Sequence, residues 1–97
     1  MSKLVKDDSW VWVLVQEPGV NEQLLGQHDE ENDVWFVPTF SEKEEALKCY
    51  NQLALDKTLK YETQAVLYEE LLRSTSENGF MIFILDGSGK ILEKISP

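Results

Sequence analysis

The chain has 97 residues, 42% of them hydrophobic and 10% aromatic, which is enough for one core and too apolar for a disordered chain. Eighteen acids against nine bases leave a formal charge of −9. That sign argues against nucleic acid and against a membrane as partners, because both are bound by basic surfaces that displace counterions.

A single domain spanning 1–97 is expected, with the polar stretch Met1–Asp8 disordered. The run Trp10–Val15 is too short for a signal-peptide core or a membrane span. Ser9–Gln16 reads as a strand with Trp10, Trp12 and Leu14 on one side and Val11, Val13 and Val15 on the other. Apolar on both faces, it belongs inside a sheet. Glu17-Pro18-Gly19 stops it. Val20–Asp33 is polar and irregular, apart from Leu24 and Leu25, which pin the loop to the core or pair briefly as strand. Val34–Phe40 is the second strand. Pro38 has no N–H for a ladder, which places this strand at an edge or ends its pairing there. Ser41 with Glu44 three residues on forms a capping-box pattern. The helix that follows carries Ala46, Leu47, Tyr50, Leu53 and Ala54 at helical spacing and should end near Leu55–Lys57.

Tyr61–Leu67 alternates as a third strand, with Tyr61, Thr63, Ala65 and Leu67 on one face. Tyr68–Glu77 is a short helix that Asn78-Gly79 terminates. Phe80–Leu85 is the most apolar run and reads as a central strand covered on both faces. Asp86-Gly87-Ser88-Gly89 is a hairpin turn, and Lys90–Ile95 returns antiparallel with Ile91 and Ile95 inward. The order β-β-α-β-α-β-β predicts a two-layer α+β domain: a four- to five-stranded, mainly antiparallel or mixed sheet with both short helices on one face.

No stretch carries a catalytic constellation. His28-Asp29-Glu30-Glu31-Asn32-Asp33 offers metal-ligand types, but adjacent acids in a loop diverge and the alternation of a calcium loop is missing. It reads as a solvated loop. Asp86-Gly87-Ser88-Gly89-Lys90 lacks the remaining parts of a phosphate loop. Cys49 sits in the first helix, far in sequence from the only histidine, His28, and reads as a structural residue. Its being the only cysteine excludes an intrachain disulfide framework and suits a reducing compartment, so a cytoplasmic protein is expected. Glu42, Glu44, Glu45, Glu69 and Glu70 read as helix-start and surface charge. What folding does not obviously use is the aromatic surplus. Trp35, Trp10 and Trp12, with Pro38, form the candidate interaction surface, since aromatics of this kind anchor interfaces.

The pattern resembles a family of small domains of unknown function known chiefly from photosynthetic organisms. The matching pieces are Trp12-Val13-Leu14-Val15, Asn21-Glu22, Val37-Pro38-Thr39-Phe40, Glu42-Lys43-Glu44-Glu45-Ala46, Tyr61-Glu62-Thr63-Gln64-Ala65-Val66 and Tyr68-Glu69-Glu70-Leu71-Leu72. The Pro-Thr-Phe-Ser junction followed by acids and Ala is also similar to SseB-type α/β domains. Neither resemblance implies a catalytic residue. The sequence therefore leads to a non-catalytic protein-interaction module or homodimer that needs no cofactor and no metal. The alternative is a small-molecule-binding or regulatory domain with a pocket between the sheet and Val20–Asp33.

Overall fold

The computed structural model describes residues 5–53, 55 and 57–97. Seven strands and two helices form an α+β fold: β1 (Trp10–Gln16), β2 (Gln23–Leu24), β3 (Gln27–Asp29), β4 (Val34–Phe40), α1 (Lys43–Tyr50), β5 (Tyr61–Leu67), α2 (Tyr68–Glu77), β6 (Met81–Leu85) and β7 (Ile91–Ile95). The long strands follow the order β5-β1-β4-β6-β7, antiparallel except for the parallel pair β4–β6. The two short strands come from the segment read as irregular. β2 pairs Leu24 with Val15 of β1, and β3 pairs His28 with Trp35 of β4.

The pairings make β4, β5 and β6 run the same way, so each helix is the crossover of a β-α-β unit. α1 carries the chain from β4 past β1 to β5. α2 carries it from β5 back past β1 and β4 to β6. Two crossovers of the same hand that travel in opposite directions must lie on opposite faces. Val11, Val13, Val15, Val37, Ile82 and Ile84 accordingly form one core with Tyr68 and Leu71 of α2. Phe40, Phe83 and Leu85 form the other with Ala46 and Cys49 of α1. The expected placement of both helices on one face is corrected by this arrangement, and the sheet is a middle layer.

β4 is an interior strand, not an edge. Pro38 is fully buried and sits between the residues that β4 pairs with β3 and those it pairs with β1. That break in the ladder is where an interior strand tolerates a missing N–H. β6 is central and buried on both faces, as its unbroken apolar run requires. β7 departs from expectation. A register shift opposite Ile84 and Leu85 turns Ile91 outward, 43% exposed, while Ile95 is buried. At the other end of the chain, residues 1–4 lie outside the described set. Val5 packs in the core, and the carbonyls of Asp7 and Ser9 accept from Glu69 and Tyr68; the chain is built in from residue 5.

The start of α1 also differs. Its N-cap is Glu42, with no side-chain cap hydrogen bond, so the Ser41–Glu44 capping box does not form. The apolar stripe is narrower than predicted: Ala46 and Cys49 are buried, Tyr50 is half-buried and Leu47 is exposed. Of the proposed stripe, Ala54 lies outside the described residues. Glu45, whose charge reads as helix-start surface, instead reaches across to accept from the Gly87 backbone N–H in the β6–β7 turn. Gln52 Nε2 donates to the Gly87 carbonyl from the same side (3.2 Å). A Cβ on Gly87 would lie 2.8 Å from the Glu45 carboxylate and 3.0 Å from Lys48 Cβ. Gly87→Ala is therefore expected to push α1 off the turn and to destabilise by about 1–3 kcal/mol, read as a lower urea midpoint at unchanged m-value.

Candidate interaction surface

The four candidate residues do not form one surface. Trp10 and Trp12 lie on the α1 face. Trp12 is half-buried, with the Lys43 ammonium 5.6 Å from its ring centroid. Trp10 stands at the end of β1 opposite Leu67 and is 60% exposed. Pro38 is core. Trp35 has the parity of Val37 and so lies on the α2 face, where it is 52% exposed.

Trp35 is nonetheless held. Its register partner His28 packs on it, ring centroids 4.8 Å apart, and Phe80, the residue before β6, approaches at 6.3 Å. His28 Nε2 donates to the Asp33 carboxylate (2.9 Å), an acceptor that fixes the proton on that nitrogen. Asp33 adopts φ 51° in the turn between β3 and β4. Asp29 braces the same turn, accepting from Asn32 Nδ2 (3.0 Å) and the Glu31 N–H (3.2 Å). These bonds, the Asn32 side chain first, hold its carboxyl below the usual range. Gly26 lets Phe80 lie flat, for a Cβ there would meet the ring at 2.6 Å.

Beside this aromatic cluster runs a groove of about 580 Å³. Gln23 and Leu24 form one wall, Ser74, Thr75 and Asn78 of the α2 end form the other, and Val37 and Phe80 lie between them. It borders the Val20–Asp33 segment, but its aromatic is Phe80 and not a Trp or Tyr. A second groove, about 460 Å³, lies on the α1 face between the 28–32 loop and β7. There Phe36 and Phe83 stack at 4.1 Å with Lys94 5.1 Å from the Phe83 ring.

The groups with chemical potential elsewhere are engaged in structure. Asp86 accepts from the Ser88 hydroxyl (2.7 Å), the Ser88 N–H (2.9 Å) and the Lys90 N–H (2.9 Å). Cys49 is buried on the sheet, and burial together with the nearby Asp86 charge pushes its thiol up, away from the reactive thiolate. No three His, Cys, Asp or Glu side chains among the described residues converge as a metal site. No helix among them is long and apolar enough to cross a membrane.

Trp35 and Trp10 are accessible, and the neighbours that define the Trp35 site were missed. His28 reaches it because the polar Gln27–Asp29 pairs as a strand with β4, and Phe80 because β6 pairs parallel with β4. The turn residues Asn32-Asp33 were the available signal for that hairpin. No protein-family model, curated protein or solved structure matches the chain.

The Asp86 turn gives a pH dependence with a definite sign. The Ser88 hydroxyl is the main cause that lowers the Asp86 pKa on folding, followed by the Lys90 N–H. The stability it contributes is therefore complete above the unfolded value of about 3.9 and is lost as pH falls through the folded one. Asp86→Asn should be less stable than wild type at pH 7, and the gap should close in acid. Urea melts from pH 7 to pH 2.5 check this, and a gap that stays constant contradicts it.

Proposed function

We propose that the protein is a non-catalytic interaction module that takes a cationic polypeptide segment on its Trp35 corner. The observation that carries this reading is Trp35 itself: half-exposed, yet fixed between His28 and Phe80, the latter lining a groove. A fixed aromatic loses little side-chain entropy on binding, which is what makes such residues interface anchors. The groove supplies Leu24 and Val37 for an apolar side chain, and Glu22 and Asp33 stand near by as acids. The chain's charge of −9 steers a basic partner towards it and repels an acidic one. The non-catalytic half of the reading is supported by the structural employment of Glu45, Asp86 and Cys49. A lone buried thiol suits a reducing compartment, and we place the protein in the cytoplasm.

A second reading is favoured by the groove alone. Its volume of about 580 Å³ lies within the range of small-molecule sites, so a ligand seated between Leu24 and Phe80 is the alternative.

One titration separates the two. The indole N–H signals of the three tryptophans are followed by NMR as a Lys/Leu peptide, a Glu/Leu peptide and a neutral aromatic such as indole are added. The Lys/Leu peptide should move the Trp35 signal, weaken with salt, and bind Trp35→Ala at least about tenfold less tightly. A response to indole only favours the small-molecule reading. A Lys/Leu peptide that leaves the Trp35 signal in place, or that binds Trp35→Ala equally well, refutes the module.

A further inference from the structure

The two ends of the sheet are treated differently. β7 carries the devices that blunt an edge: a register shift opposite Ile84 and Leu85, and an exposed Lys94. β5 carries none. It is seven residues long, pairs along its whole length with β1 and, among the described residues, with no other strand. It contains no Lys, no Pro and no irregularity of register, and Glu62 is its only charge. A regular strand with almost no charge, whose other side meets no strand among the described residues, is a template for another strand.

We propose that the outer side of β5 is a homodimer interface, in which β5 of a second copy pairs antiparallel about a two-fold axis at Gln64. The sequence is self-complementary in that register. Gln64 faces Gln64 of the second copy, Glu62 faces Val66, Thr63 faces Ala65, and Tyr61 faces Leu67. No charge meets a like charge, although the chain carries −9 overall. A parallel pairing would set Glu62 against itself. The register also accounts for Trp10. Trp10 is the β1 partner of Leu67 and is 60% exposed at that corner. With Tyr61 of the second copy beside Leu67, the row Trp10–Leu67–Tyr61 becomes continuous across the joined sheet, at strand spacings of about 4.8 Å. The two-fold axis builds this row twice. Repulsion between two acidic bodies opposes the pairing at long range and is screened by salt, so the dimer strengthens as salt is added. This inference does not rest on the Trp35 reading, because β4 and β5 are separated by β1.

The test is sedimentation equilibrium of the full chain up to several hundred micromolar, at low salt and at 0.5 M NaCl. Wild type should approach twice its 11.2 kDa mass, more completely at high salt. Gln64 is half-buried and donates to Glu62 (3.3 Å), so Gln64→Lys keeps a favourable neighbour within its own chain. It nevertheless sets Lys against Lys on the axis. Gln64→Glu is nearly isosteric and sets Glu against Glu. Each variant alone should associate about fivefold more weakly or worse, and an equimolar mixture of the two should regain the dimer. A wild type that stays monomeric at high salt overturns the proposal, as do single variants that dimerise like wild type. A mixture that behaves as the average of its parts overturns the axis at Gln64.

Discussion

The structure depends on the fact that β1, β4 and β6 are apolar on both faces. Val11, Val13 and Val15 alternate with Trp12 and Leu14, and Ile82 and Ile84 alternate with Phe83 and Leu85. A strand of this kind cannot leave one side in water, so the sheet must be a middle layer. A chain of this length supplies two short helices, one for each side. The path from β4 out to β5 and back to β6 sends each helix to a different face. The contacts of Glu45 and Gln52 with Gly87 fasten the first of them to the far end of the sheet.

Two helices of eight and ten residues cannot cover both faces of seven strands. What they leave bare is where the functional readings arise. On the α2 side the bare corner is Trp35 with His28 and Phe80. On the α1 side Phe36, stacked on the buried Phe83, floors a groove closed partly by Lys94, and Trp10 is exposed at the β1–β5 corner. On the proposed reading, the formal charge of −9 favours basic partners over acidic ones.

Much of this was legible in the residues. The five long strands and both helices occupy segments that alternation, apolar runs and the turn residues Asn78-Gly79 and Asp86–Gly89 mark in advance. Interior position was legible for β1 and β6, which are apolar on both faces, but strand order was not, because it is set by non-local pairing. Pro38 pointed to an edge or to an end of pairing; the strand lies inside, and the second alternative holds, since the missing donor coincides with a change of partner from β3 to β1. The capping-box pattern at Ser41 and Glu44 was present but unused, because the helix begins one residue later. The same long-range logic hid the Trp35 site. Trp35 was visible as a surplus aromatic, but its neighbours come from the polar strand β3 and from the residue before β6, which no spacing in the sequence connects.

The opposed placement of the helices is the claim on which the rest stands, and it can be read directly from methyl and aromatic proton contacts in solution. A NOESY spectrum of a methyl-labelled sample should connect Leu71 to the set that includes Val37, Ile82 and Ile84. It should connect Ala46 to the set that includes Phe40, Phe83 and Leu85. Contacts from Ala46 and Leu71 to one common set of strand residues would put both helices on one face and contradict the account.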